Sequence, residues 1–140
     1  MNPVQIRRFI DKITDGENIN FYYYWSKRHR LYKFEAFAHY NGKSGIYINR
    51  DMWDSAGVDR QRMILAHEVG HFKTDYRYSH KTWLREYGAE VWAIQRLDDL
   101  GMTRISKMLK NQMNNWKTYD WNKWRKYRMA HNLAKKRGII

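Results

Sequence analysis

The chain has no cysteine. That excludes disulfides and every thiolate metal site, so a metal here has to be held by His, Asp or Glu. Proline occurs once in 140 residues, and the 43% apolar and 16% aromatic shares argue against a disordered chain. No apolar run approaches the ~20 residues of a membrane span, and Met1-Asn2-Pro3-Val4-Gln5-Ile6-Arg7-Arg8 carries no signal-peptide core. The expectation is a cytoplasmic protein with no membrane partner. Acidic residues are scarce toward the end: residues 101–140 hold one against 11 Lys/Arg, while residues 1–100 hold 13 against 16. A near-neutral part is thus followed by a basic one. The length suits one domain with a real core, read as a core over residues 1–100 and a basic, Trp-rich helical extension over 101–140, packed on it or appended to it.

What is present is His67-Glu68-Val69-Gly70-His71, an H-E-x-x-H pentapeptide. On a helix, residues four apart share a face one turn apart, so both imidazoles can reach one small ion. Glu68 then sits one residue round the helix, a carboxylate placed to take a proton from an attacking water. If residues were equally frequent, such a pattern would arise by accident in about 2% of chains this long. Its surroundings therefore have to carry the argument.

Those surroundings read as α+β. Helical spacing predicts a helix over residues 3–14, ended by Asp15-Gly16. The aromatic run Asn20-Phe21-Tyr22-Tyr23-Tyr24-Trp25 favours a strand. Ser26–Arg30 is a charged connector and Leu31–Ala38 a second strand, with helix as the alternative. Asn41-Gly42-Lys43-Ser44-Gly45 makes a turn into the short strand Ile46-Tyr47-Ile48-Asn49. The motif helix follows over residues 59–73, with Asp59 as the favoured N-cap over Asp51 and Asp54. Gly70 inside it predicts close approach by another element, because Gly costs about 1 kcal/mol relative to Ala in a free helix. Residues 74–80 read as a loop, 81–100 as a long helix stopped by Gly101, and 103–114 and 119–137 as two more helices.

Two histidines leave a catalytic zinc one protein ligand short. His80, Glu86 and Glu90 are the candidates. His80 lies on the predicted loop and reaches only if that loop folds back. Glu86 and Glu90 share a helix face, so one can bind the metal while the other accepts the free N–H of a ligand histidine. The bland reading of both is a solvated face. The longer H-E-x-x-H-x-x-G-x-x-H pattern is excluded, since positions 74 and 77 are Thr and Arg. Without cysteine, mixed His/carboxylate ligation makes one zinc ion the first expectation.

The stretch Ile64-Leu65-Ala66-His67-Glu68-Val69-Gly70-His71, followed by Glu86-Tyr87-Gly88-Ala89-Glu90-Val91-Trp92-Ala93-Ile94, resembles the ImmA/IrrE family of small zinc metallopeptidases. The likeness covers about residues 44–98. It implies a zincin-like fold: a small antiparallel or mixed sheet packed on the H-E-x-x-H helix, with a helical C-terminal part. It also implies a gluzincin-like site in which His67, His71 and Glu86 hold zinc and Glu68 is the catalytic base. Glu90 stands where the family usually has Asn or Asp, and Arg96-Leu97-Asp98-Asp99-Leu100 replaces the family's frequent L-M-P ending. Phage and mobile-element proteins of this family cleave helix-turn-helix repressors, so a repressor-like protein is the implied substrate.

For a peptidase, a second electrophilic donor is expected near the scissile carbonyl. Tyr76, Tyr78 and Tyr87 are the candidates, with His80 beside them, although aromatics more often fill cores. In the basic part, Trp116, Tyr119, Trp121, Trp124 and Tyr127 interleave with Lys117, Lys123, Arg125, Lys126 and Arg128. Such interleaving suits a nucleic-acid surface, and it equally suits a buried aromatic stripe with cations facing water. The rival to the peptidase is accordingly a nucleic-acid- or protein-binding module with a structural or vestigial metal site.

Overall fold

A computed structural model describes residues 1–25, 34–40 and 42–140. The predicted connector 26–30 and the first three residues of the predicted second strand, 31–33, lie outside the described residues. Among those described there are six α-helices and a mixed three-stranded sheet. The chain divides into two compact units, residues 1–69 and 70–140.

In the first unit, α1 (Pro3–Thr14) begins with a capping box. The Asn2 side chain accepts from Gln5 N, and the Gln5 side chain accepts from Asn2 N, both at 2.9 Å. Its apolar spacing buries Ile6, Phe9, Ile10 and Ile13, and Asp15 ends it at φ 55°. The strands β1 (Phe21–Tyr24), β2 (Ala36–His39) and β3 (Gly45–Asn49) lie in the order β1-β3-β2. β1 runs parallel to β3, with Phe21 opposite Ile46; β2 runs antiparallel, with Ala36 opposite Ile48. Period-two alternation buries Ile46 and Ile48 and leaves Tyr47 half-exposed, its ring stacked at 5.2 Å on Phe37 and 5.1 Å from Tyr22.

The four-residue helix α2 (Arg50–Trp53) is capped by Asn49, whose side chain accepts from Asp51 N at 3.1 Å. One turn is too short to leave a periodic signal, so the sequence reading has no counterpart to it. Trp53 is fully buried, and its carbonyl accepts from Gln61 Nε2 at 2.8 Å. The motif helix α3 (Val58–Lys73) starts one residue earlier than expected. Asp59 is therefore not its cap; it lies in the first turn, where a negative charge complements the helix dipole, 3.7 Å from Arg62.

α3 crosses into the second unit at Gly70 and is followed there by α4 (Thr82–Asp99), α5 (Thr103–Asn115), a 3-10 turn (Trp116–Thr118) and α6 (Trp121–Lys136). α5 and α6 pack on α4. Buried Ala89, Ala93, Ile94 and Leu97 of α4, Leu109 and Met113 of α5, and Ala130 and Ala134 of α6 make up this core. Asp120 caps α6 by accepting from Asn122 N and Lys123 N, and the helix kinks at Trp124 (φ −127°, ψ 36°). Among the described residues no helix is long and apolar enough to cross a membrane.

Candidate metal centre

Regular α-helical geometry through α3 sets His67 and His71 one turn apart on the same face. What stands opposite His71 is decided by two small residues. A Cβ at Gly70 would meet the Ala89 carbonyl oxygen at 2.2 Å, and one at Gly88 would meet Thr74 Oγ1 at 2.1 Å. The last turn of α3 and the chain just after it therefore press directly on the α4 backbone. One turn before Glu90, Glu86 then reaches His71, with Oε2 3.6 Å from Nε2.

His67, His71 and Glu86 form the group that can hold a metal ion: each offers one ligand atom, and these lie within 4.8 Å of one another. Ligand atoms about 2.1 Å from a single tetrahedral zinc stand roughly 3.4 Å apart. The His71–Glu86 separation of 3.6 Å is close to that edge. Two imidazoles and one carboxylate, with no thiolate, are a donor set suited to zinc. The residues present fit the ion.

The charge around the group is mixed. Glu86 is 9% exposed, a burial that a carboxylate tolerates when cations face it. Lys126 of α6 supplies one, with Nζ 3.7 Å from Glu86 Oε1. Glu90 lies outside the ligand group. It is fully buried, and its Oε2 accepts from Gln112 Nε2 of α5 at 3.0 Å. His80 is exposed on the turn before α4 and also lies outside the group. Glu68 is half-buried on α3, next in sequence to His67.

No family model, curated protein or solved structure matches this chain. Its own residues carry the functional reading.

The candidate electrophilic donors part company. Tyr78 is 76% exposed, with Arg77 over its ring. Tyr76 and Tyr87 face each other at 6.0 Å, and both phenol oxygens accept from Arg137 Nη1, at 3.1 and 3.3 Å. The aromatic stripe of the basic part divides as well. Trp116 is buried, its ring 5.0 Å from Tyr127, and Tyr119 and Trp124 close on the same ring at 5.5 and 5.9 Å. Trp121 is 42% exposed, and Lys117, Lys123 and Arg125 are exposed, whereas Lys126 and Arg128 are half-buried.

Sequence reasoning missed Lys126 as a neighbour of Glu86, Gln112 as the partner of Glu90, and Arg137 as the clamp on two tyrosines. Each is remote in sequence from its partner, and a lone Lys, Gln or Arg carries no local signal of such a contact.

Proposed function

We propose that the chain is a zinc-dependent endopeptidase. The observation that carries this reading is the approach of His67, His71 and Glu86 within 4.8 Å, with Glu68 the next residue after His67. Bound zinc would supply a Lewis acid for the scissile carbonyl and acidify a water. Glu68 takes the proton of the attacking water and returns it to the leaving amine. Glu86 lends the site negative charge, and its burial against α6 limits the water that would screen it. The close contact at Gly70 holds His71 in register with Glu86. The resemblance to the ImmA/IrrE family supports the same assignment of roles, and it points to a helix-turn-helix repressor or a similar regulatory protein as the substrate class.

The test is hydrolysis of a quenched fluorescent peptide library and of a purified repressor-type protein by wild type and Glu68→Gln, each with and without chelator. Cleavage by the wild type, abolished by chelator and by Glu68→Gln while zinc is retained, supports the reading. Equal cleavage by Glu68→Gln overturns the role given to that residue.

A further inference from the structure

We propose that the start of α6 is a binding site for single-stranded nucleic acid, built on Trp121 with Arg125 and Arg128. The Trp121 ring is 42% exposed. Two guanidinium groups attend it, with the Arg125 and Arg128 carbons 5.2 and 5.4 Å from the ring centroid, and Lys123 is exposed in the same turn. Packing explains the other rings of this part but not this one. Trp116, Tyr119, Trp124 and Tyr127 cluster together, which leaves Trp121 as the indole turned to solvent.

The surrounding charge selects a polyanion. Residues 101–140 hold 11 Lys/Arg and one acid, and that acid, Asp120, has its Oδ1 engaged by the backbone N–H groups of Asn122 and Lys123. An exposed indole held among cations is the combination that takes an unpaired base on its face while the cations take the flanking phosphates; guanidinium planes can also stack on bases. A duplex hides its base faces and would use only the cations. A membrane-surface helix needs a free apolar face, and in α6 Ala130 and Ala134 are already buried.

The site uses none of the metal-group residues, so it stands or falls apart from the peptidase reading. The experiment is fluorescence anisotropy of a labelled oligothymidylate with the full chain across a salt series, with and without chelator. The wild type binds the oligonucleotide, and chelator leaves the affinity unchanged. Trp121→Ala weakens binding by about fivefold or more, as expected for loss of one stacked base, and Trp121→Phe keeps most of it. Trp121→Leu, which keeps apolar bulk but no ring, loses as much as the alanine variant and serves should that variant fail to fold. Replacing Arg125 and Arg128 together with alanine flattens the salt slope by roughly 0.7 for each phosphate no longer neutralised. Any of three results overturns the proposal: no binding by the wild type, wild-type affinity in Trp121→Leu, or equal or tighter binding of a duplex or of phosphatidylserine vesicles.

Discussion

A Cβ atom on Gly70 would stand 2.2 Å from the carbonyl oxygen of Ala89. The obstacle is backbone, so relief requires moving α4 itself. This contact joins the H-E-x-x-H helix to the helix that carries Glu86, and His71 and Glu86 meet at 3.6 Å just beside it. The glycine that costs about 1 kcal/mol in a free helix is here what lets α3 pack directly on the α4 backbone.

Gly70→Ala should destabilise the protein by about 1–3 kcal/mol, the usual range for overpacking, despite the better helix propensity of alanine. It should also weaken zinc binding, because α4 has to retreat with Glu86 on it. Denaturant midpoints and a zinc titration on the same variant check both. A stability gain of about 1 kcal/mol, the free-helix expectation, would show that the contact with Ala89 does not limit this position.

Lys126→Ala should tighten zinc binding. The ammonium lies 3.7 Å from Glu86 and opposes a divalent cation at the same carboxylate. At a third exposed, its effect is screened, so roughly tenfold in affinity is expected. Competition against a zinc-binding dye gives the number, and weaker binding in the variant would show that Lys126 organises the group instead.

Asp98 supplies a pH dependence. The Ser106 hydroxyl donates to it and Lys110 stands 3.3 Å away, and these contacts, the hydroxyl first, hold its carboxyl below the ordinary range. A depressed folded value means stability that is present above the unfolded value of about 3.9 and is lost as pH falls through the folded one. The wild type should exceed Asp98→Asn in stability near neutral pH by at most about 1 kcal/mol, given the exposure of this pair. That advantage should vanish toward strongly acid pH. Urea unfolding of both proteins at several pH values measures it.

Local order was the legible part of this structure. Asn2-Pro3 and Asp15-Gly16 mark both ends of α1, and the apolar spacing between them gives its buried face. Gly70 foretold a close approach from its helical setting alone, but Ala89 as its neighbour comes only from tertiary packing. The Asp59 cap failed because the helix begins at Val58, where the Gly57 carbonyl already accepts from Gln61 N at 2.9 Å, a start that no side-chain cap announces in the sequence. The parallel pairing of β1 with β3 is a matter of chain path, which alternation within a strand does not encode. At the metal group, H-E-x-x-H spacing is local and readable. Glu86 and Glu90 share a helix face, so helical spacing alone leaves both open; that Glu90 is taken up by Gln112 and that Lys126 stands beside Glu86 comes from α5 and α6, 22 and 40 residues away.

The most direct test of the central claim is zinc stoichiometry and affinity, by calorimetry and elemental analysis, in wild type and in Glu86→Gln, a variant that keeps the shape of the side chain. A three-ligand site of His67, His71 and Glu86 predicts one zinc per wild-type chain and at least about tenfold weaker binding in Glu86→Gln. No zinc in the wild type, or equal affinity in the two proteins, would contradict it.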